Sequence, residues 1–399
     1  MTSPVETPLA PRLFACALLC IGAILQLAGT DLVLPAIPDL PDQLGGDEVR
    51  AQFVLASYTV GVALGLIAFG AAGARFGRRR LLIVSAFAFA IVSFIAGQAQ
   101  SMDQLIALRV LQGFVSAAPT VFGAGLIRAM FTEAGATKAI GALGSLESLA
   151  PAIAPIIGVW LLTLGDWSLS FDVLAVAAFI SGLLLLAFRG VFEPSVQGAP
   201  KTDGSYLKLA RSPTYLRYAL SQATVLGGLL TFVLSAPVII VDSMGGGLTD
   251  FVIMQVTGIS CFILASNTSG FLVTRFGPER LIWIGTSMAF VTMVGMAIYA
   301  GFGGNNTLVM TAFFVPLNAG LGLRGPPGFL RAIIAGDGDD DRAASLMILS
   351  ILSCVAVGTA AMAPFLSGGL FALSLGVVAF ELAAVLLLAL LPPLQQTNQ

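Results

Sequence analysis

Runs of roughly twenty apolar residues, each long enough to cross a bilayer as one α-helix, recur along the whole 399-residue chain. They fall at 12–37, 51–73, 81–99, 104–130, 138–163, 170–188, 215–241, 250–274, 281–301, 306–331, 343–365 and 368–392. Such runs cannot all be core helices of a soluble protein. A soluble domain needs about 25% charged residues to wet its surface; this chain has 10% charged and 57% hydrophobic residues, with a mean hydropathy of +0.96. The solvent of most of its surface must be lipid, where only structures that satisfy their own backbone hydrogen bonds persist. The expected fold is an all-α membrane protein of twelve transmembrane helices. The first run is too long for a signal peptide and ends at Pro35, Pro38 and Pro41 rather than at small residues, so it is expected to be retained.

Composition also excludes functions. A net charge of −2 with no Lys/Arg-rich face gives nucleic acid nothing to bind. Cys16, Cys20, Cys261 and Cys354 all lie inside apolar runs. Cys16 and Cys20 share a helix face, but without further Cys or His they make a poor zinc site, so no metal is expected. No nucleophile–base pair suggests an enzyme. The literal G-x-G-x-x-G at Gly320, Gly322 and Gly325 follows no strand and is no nucleotide site. Histidine is absent, so a side chain that carries a proton near neutral pH must be Asp or Glu.

Basic residues set the topology. Arg12, Arg75, Arg78, Arg79, Arg80, Arg128, Lys138, Arg189, Lys201, Lys208, Arg211, Arg217, Arg275, Arg280, Arg331 and Arg342 fall on one set of alternating sides, 16 of the 19 basic residues. Arg50 alone lies opposite, while Arg109 and Arg324 lie within spans. Both termini are expected in the cytoplasm. The one extended polar stretch, around Glu193, Pro194 and Lys201, divides the chain into two bundles of six helices, 1–190 and 214–399, joined by a linker at 191–213.

The halves repeat. Gly70, Arg75, Phe76, Gly77, Arg80 and Leu81 recur 200 residues later as Gly270, Arg275, Phe276, Gly277, Arg280 and Leu281. The segment Gly125 to Ala129, with Arg128, recurs as Gly328 to Ala332, with Arg331. Parallel repeats of this kind are a transporter architecture, with substrate bound near midplane at the repeat interface.

The loop Gly70-x-x-Gly73-Ala74-Arg75-Phe76-Gly77-Arg78-Arg79-Arg80 resembles the G-x-x-x-D-R-x-G-R-R signature of the major facilitator superfamily. Ala74 stands where the family has an acidic residue that helps latch the cytoplasmic side. Arg109-Val-Leu-Gln112-Gly113 matches the family's R-x-x-Q-G motif. Thr30-Asp31-Leu-Val-Leu-Pro35-Ala-Ile-Pro38 resembles the first-helix signature of the bicyclomycin-resistance drug exporters. Ala150-Pro151-Ala-Ile-Ala154-Pro155-Ile-Ile-Gly158 resembles the helix 5 motif of the same antiporters, with Val159 in place of a glycine.

The resemblance implies a proton-coupled efflux transporter of small amphipathic compounds in the bacterial inner membrane. Its expected partners are substrate, protons and lipid, with no cofactor, and the expected state is a monomer. The alternative is a carrier or facilitator of an endogenous metabolite, amino acid or sugar. Asp31, Arg109 and Glu147 are the candidates for proton coupling, with Asp31 and Arg109 expected at matching depth. Gln112, Arg324, Pro151, Pro155 and Gly158 are candidates for substrate contact or gating, and Gly70, Arg75, Gly77, Arg78 and Arg79 for the loop motif. Glu147 and Arg324 are expected either to pair or to act separately, as a second proton carrier and an anion-binding group. Glu381 is expected to be buried against a neighbour. Phe53, Tyr58, Met130, Phe232, Met254 and Phe314 are candidates to line a cavity.

Overall fold

The computed structural model describes residues 9–192 and 204–394; residues 193–203 of the expected linker, Lys201 among them, lie outside the described residues. Long helices are α1 (Leu9–Asp31), α2 (Glu48–Phe76), α3 (Arg78–Gly97), α4 (Met102–Met130), α5 (Glu133–Leu164) and α6 (Ser168–Ala187). They continue with α7 (Pro213–Val238), α8 (Leu248–Phe276), α9 (Pro278–Gly301), α10 (Thr307–Ile334), α11 (Asp340–Met362) and α12 (Gly369–Leu390). Among the described residues eleven segments are long and apolar enough to span a membrane. The last, Asp340–Leu390, contains both α11 and α12. As one helix its 51 residues would be about 77 Å long, against a hydrocarbon core of about 30 Å. It folds back instead: Gly369 takes φ +63°, the side chain of Met362 fills the notch at Gly376, and Phe380 fills that at Gly358. The fold is therefore the expected all-α membrane protein with twelve crossings.

Local chemistry sets the boundaries. Asp47 caps α2 by accepting from the Arg50 amide at 2.8 Å, Ser101 caps α4, Ser212 caps α7 and Asn306 caps α10, each satisfying an amide that the first turn leaves free. α2 and α8 stop at Gly77 and Gly277, with φ of +86° and +79°. L side chains rarely adopt such angles, which is why glycine recurs there. α1 ends at Asp31, earlier than expected, and a 3₁₀ segment Leu34–Asp39 follows. Pro35 and Pro38 lack the amides that would continue the α-helical ladder.

The chain forms two compact units. Unit 1 comprises Met1–Met130, Leu146–Asp203 and Asp340–Ser345; unit 2 comprises Phe131–Ser145, Gly204–Asp339 and Leu346–Gln399. The first half of α5 groups with unit 2 and the first residues of α11 with unit 1.

Unit 1 is closed by backbone approach between α2 and α4. A Cβ on Gly61 would collide with the Val110 carbonyl, and one on Gly113 with the Tyr58 carbonyl. In unit 2 the start of α5 is held by Ser266 donating to the Gly141 carbonyl at 3.1 Å, by Asn267 donating to Ser145 at 2.8 Å, and by an Arg331–Glu133 ion pair at 2.7 Å. The core of unit 2 holds Phe232 stacked on Phe314 at 5.6 Å, with Met254, Met293, Met296 and Met310. Of the candidates for a cavity lining, Phe232, Met254 and Phe314 are core side chains, Tyr58 and Met130 are buried, and Phe53 is exposed. Large apolar side chains suit both helix interfaces and lipid, so sequence could not separate them.

Candidate functional site

Arg109 is wholly buried in α4 of unit 1. A guanidinium at membrane depth is costly unless its donors are satisfied. Here Nε donates to the Val54 carbonyl at 3.1 Å, and Nη1 donates to the Gly29 carbonyl at 2.7 Å and to Gln112 Oε1 at 2.6 Å. Gln112 in turn donates to Ser93 Oγ at 2.7 Å. The R-x-x-Q spacing thus places the amide one helical turn from the guanidinium, where it orients it, and the next residue, Gly113, lets α4 meet the backbone of Tyr58. The guanidinium carbon sits 4.3 Å from the Tyr58 ring centre and 5.8 Å from that of Phe171, within cation–π range. Nη2 has no hydrogen-bond partner.

Asp31 is the last residue of α1, two beyond the carbonyl that Arg109 holds. It is half-buried, and among the described residues it makes no hydrogen bond or ion pair. Asp31 and Arg109 form no salt bridge with one another among the described residues. Tyr58 stands within electrostatic reach of both charges; its hydroxyl donates to the Gln26 carbonyl at 2.7 Å and fills the notch at Gly29, where a Cβ would come within 2.5 Å. The site therefore holds a carboxylate and a guanidinium that share Tyr58 as a neighbour, the guanidinium alone being held by hydrogen bonds.

The helix 5 motif packs against this end of α1. A Cβ on Gly158 would collide with the Leu32 carbonyl and lie 3.1 Å from Pro35. α5 is interrupted between Glu147 and Ala150. Pro151 supplies no amide to the Glu147 carbonyl, so the ladder breaks there; Pro155 is accommodated within the helix that follows. Glu147 is half-buried, within electrostatic reach of Cys20 on α1. One group escaped the sequence reading. Asp172, beside Phe171 on α6, buries an unpaired Oδ1 against Gly97. An Asp among the first residues of an apolar span was the available signal.

The loop motif also finds its acid elsewhere. Arg78 pairs with Asp341 at 2.7 Å and Asp340 at 3.7 Å, and Arg128 pairs with Asp340. An Asp341 oxygen fills the notch at Gly73, next to Ala74. Gly70, Arg75 and Gly77 close α2, and Arg79 begins α3. Arg324, in unit 2, donates from Nη1 to the Ser221 carbonyl at 2.7 Å and from Nη2 to Ser221 Oγ at 3.1 Å, with Glu381 as its charged neighbour. Within unit 2, Arg324 thus has both hydrogen-bond acceptors and a charged neighbour.

Residues 19–360 match the Major Facilitator Superfamily. The chain is a member of this superfamily. Major facilitators are transporters rather than enzymes, and this one is a multi-pass membrane protein. It is similar to the bicyclomycin resistance protein homolog of Haemophilus influenzae, 24% identical over 71% of this chain and 73% of the relative. A Bacillus subtilis MFS-type transporter, YdgK, is 28% identical over 78% and 79%. The multidrug resistance protein MdtL of Shewanella is 25% identical over 68% and 69%. Among solved major facilitator structures, the proton:xylose symporter XylE aligns with a TM-score of 0.75 at 14% identity, covering 96% of each chain. The Escherichia coli fucose:proton symporter FucP aligns at 0.72 and 15%, covering 96% and 98%. The last two likenesses concern the fold.

Proposed function

We propose that this major facilitator exports small amphipathic compounds from a bacterial cell in exchange for protons, with both termini in the cytoplasm. The observation that carries this reading is the site in unit 1. Asp31 is an unpaired, half-buried carboxylate beside Tyr58, and the fully buried Arg109 is held by carbonyls and a ring rather than by that carboxylate. Asp31 can therefore gain and lose a proton without dismantling the support of Arg109, and each change alters the local charge by one unit. A charge that alternates this way is the element by which a proton gradient biases two conformations of a carrier. Relatives with bicyclomycin- and multidrug-resistance names support a drug-like substrate.

The test is transport by the purified protein in proteoliposomes, with an imposed pH gradient and without one. The panel contains amphipathic cationic dyes, uncharged antibiotics, and sugars. Uphill movement of the amphipathic compounds, present only with the gradient, is expected. Gradient-driven uptake of sugars alone would replace export of drugs by sugar transport, and equal rates with and without the gradient would make the protein a facilitator.

A further inference from the structure

Unit 2 contains a buried polar column that the site around Asp31 does not use. α7 presents Arg217, Tyr218, Ser221 and Gln222 on one face, at the spacing that stacks side chains on successive turns, and all four are buried. At the end bearing the α7 N-terminus, Arg217 donates to the Leu391 carbonyl at 2.7 Å and pairs with Glu279 at 2.9 Å, while the Tyr218 hydroxyl donates to Glu279. Glu279, in the first turn of α9, keeps 18% of its side chain exposed, and so gives the column contact with solvent. One turn deeper, Ser221 accepts from Arg324, and Gln222 Oε1 lies over Gly328 beside the Arg324 guanidinium.

The column ends at Glu381 on α12. Glu381 is completely buried, neither of its oxygens has a hydrogen-bond partner, and Arg324 is its electrostatic neighbour. Val377 and Ala384, one turn to either side, belong to the apolar core. Gln222 Oε1 and the Nε atoms of Arg217 and Arg324 are likewise unpaired. Buried polar atoms left unpaired are costly, and a proton or water answers them.

The internal repeat shows that the fold does not require these charges. The corresponding helices of unit 1, α1, α3, α4 and α6, close around a cavity of about 30 Å³ whose polar lining is Gln26, Ser85, Ser116 and Ser181, with no charged residue. Unit 2 places Arg324 and Glu381 among the equivalent helices.

We propose that Glu381 is a proton-binding group of unit 2, reached from the Glu279 end along this column, and that it forms a second proton-coupling locus beside Asp31. The step is a proton transfer alone: a proton from water joins a Glu381 oxygen as O–H and returns to water when Glu381 ionises, with no other bond changed. The groups that face the column are Arg217 and Tyr218 from α7, Glu279 from α9 and Arg324 from α10, with Cys354 of α11 packed on α7 at Gly227. With Glu381 ionised, the carboxylates of Glu279 and Glu381 balance the two guanidinium groups; with Glu381 protonated, the column carries one uncompensated positive charge.

This inference rests on the proton-coupled reading above for its role, but not for its test. Infrared difference spectra of the purified full chain, recorded while pH is varied, detect the C=O stretch of a protonated carboxylic acid without any transport. Wild type, Asp31→Asn, Glu381→Gln and the double variant Arg324→Gln/Glu381→Gln are compared; the double variant removes both charges and so avoids an unpaired buried arginine if the single variant does not fold. A titrating band present in wild type and Asp31→Asn but lost in Glu381→Gln, or in the double variant, is expected. Identical spectra with and without Glu381 would overturn the proposal. If wild type shows no pH-driven transport yet the Glu381 band titrates, the exporter reading fails and the proton site stands. Where transport is coupled, the protons moved per substrate should fall when Glu381 is replaced; an unchanged ratio would overturn the coupling role.

Discussion

Arg109 stacks on the ring of Tyr58 at 4.3 Å rather than binding Asp31, although Asp31 lies two residues beyond the Gly29 carbonyl that Arg109 holds at 2.7 Å. The guanidinium is thus part of the scaffold that fixes the end of α1 against α2 and α4. Asp31, at the end of α1, makes no hydrogen bond or ion pair among the described residues.

A planar fork is needed to serve two carbonyls, one amide and one ring together, and the ammonium of lysine lacks that geometry. Arg109→Lys should therefore fail despite keeping the charge. Gradient-driven transport should drop by more than about tenfold. Thermal stability should also fall, because a buried carbonyl that loses its donor costs about 1–3 kcal/mol. Transport near the wild-type rate in Arg109→Lys would show that charge alone matters.

Glycine substitutions separate close approach from mere helicity. Gly113→Ala would drive a Cβ into the Tyr58 carbonyl and Gly158→Ala one into the Leu32 carbonyl, whereas at Gly123 nothing lies within 4 Å. The first two should lose at least about 1–3 kcal/mol through overpacking, and Gly123→Ala should be neutral or slightly stabilising. Melting temperatures in detergent decide this, and equal melting for all three would refute the packing account.

The ion pairs of Arg78 are largely buried, with 11% of its side chain and 5% of that of Asp341 exposed. Removing either partner takes one charge out of a largely buried network that also contains Asp340, at up to about 3–5 kcal/mol. Arg78→Ala and Asp341→Ala should each lower the melting temperature markedly, while the double variant should lose less than the sum. A double-mutant cycle with no coupling would show that the pair contributes nothing.

Much of the architecture was legible because membrane spans, loop glycines and the 200-residue repeat are local or periodic signals. Gly77 and Gly277 announced the turns they make, and Pro151 announced the break after Glu147. Partners distant in sequence were not legible. Asp341 supplies the acid that Ala74 lacks from more than 260 residues away, and no local pattern records that distance. Nor could sequence say that Arg109 would be met by carbonyls rather than by Asp31, since backbone acceptors have no residue signature. Tyr58, Phe232 and Phe314 look like cavity residues in a list of aromatics, but side-chain direction in helices that are apolar all round cannot be inferred from composition.

Asp31→Asn tests the central claim most directly. The amide keeps the size and much of the hydrogen bonding of the carboxyl while fixing its charge at neutral. Substrate accumulation in vesicles against an imposed pH gradient is measured beside equilibrium binding in detergent. Uphill transport should be abolished, while binding stays within about tenfold, or ~1.4 kcal/mol. Uphill transport by Asp31→Asn at the wild-type rate would contradict the account, leaving Asp31 a structural residue.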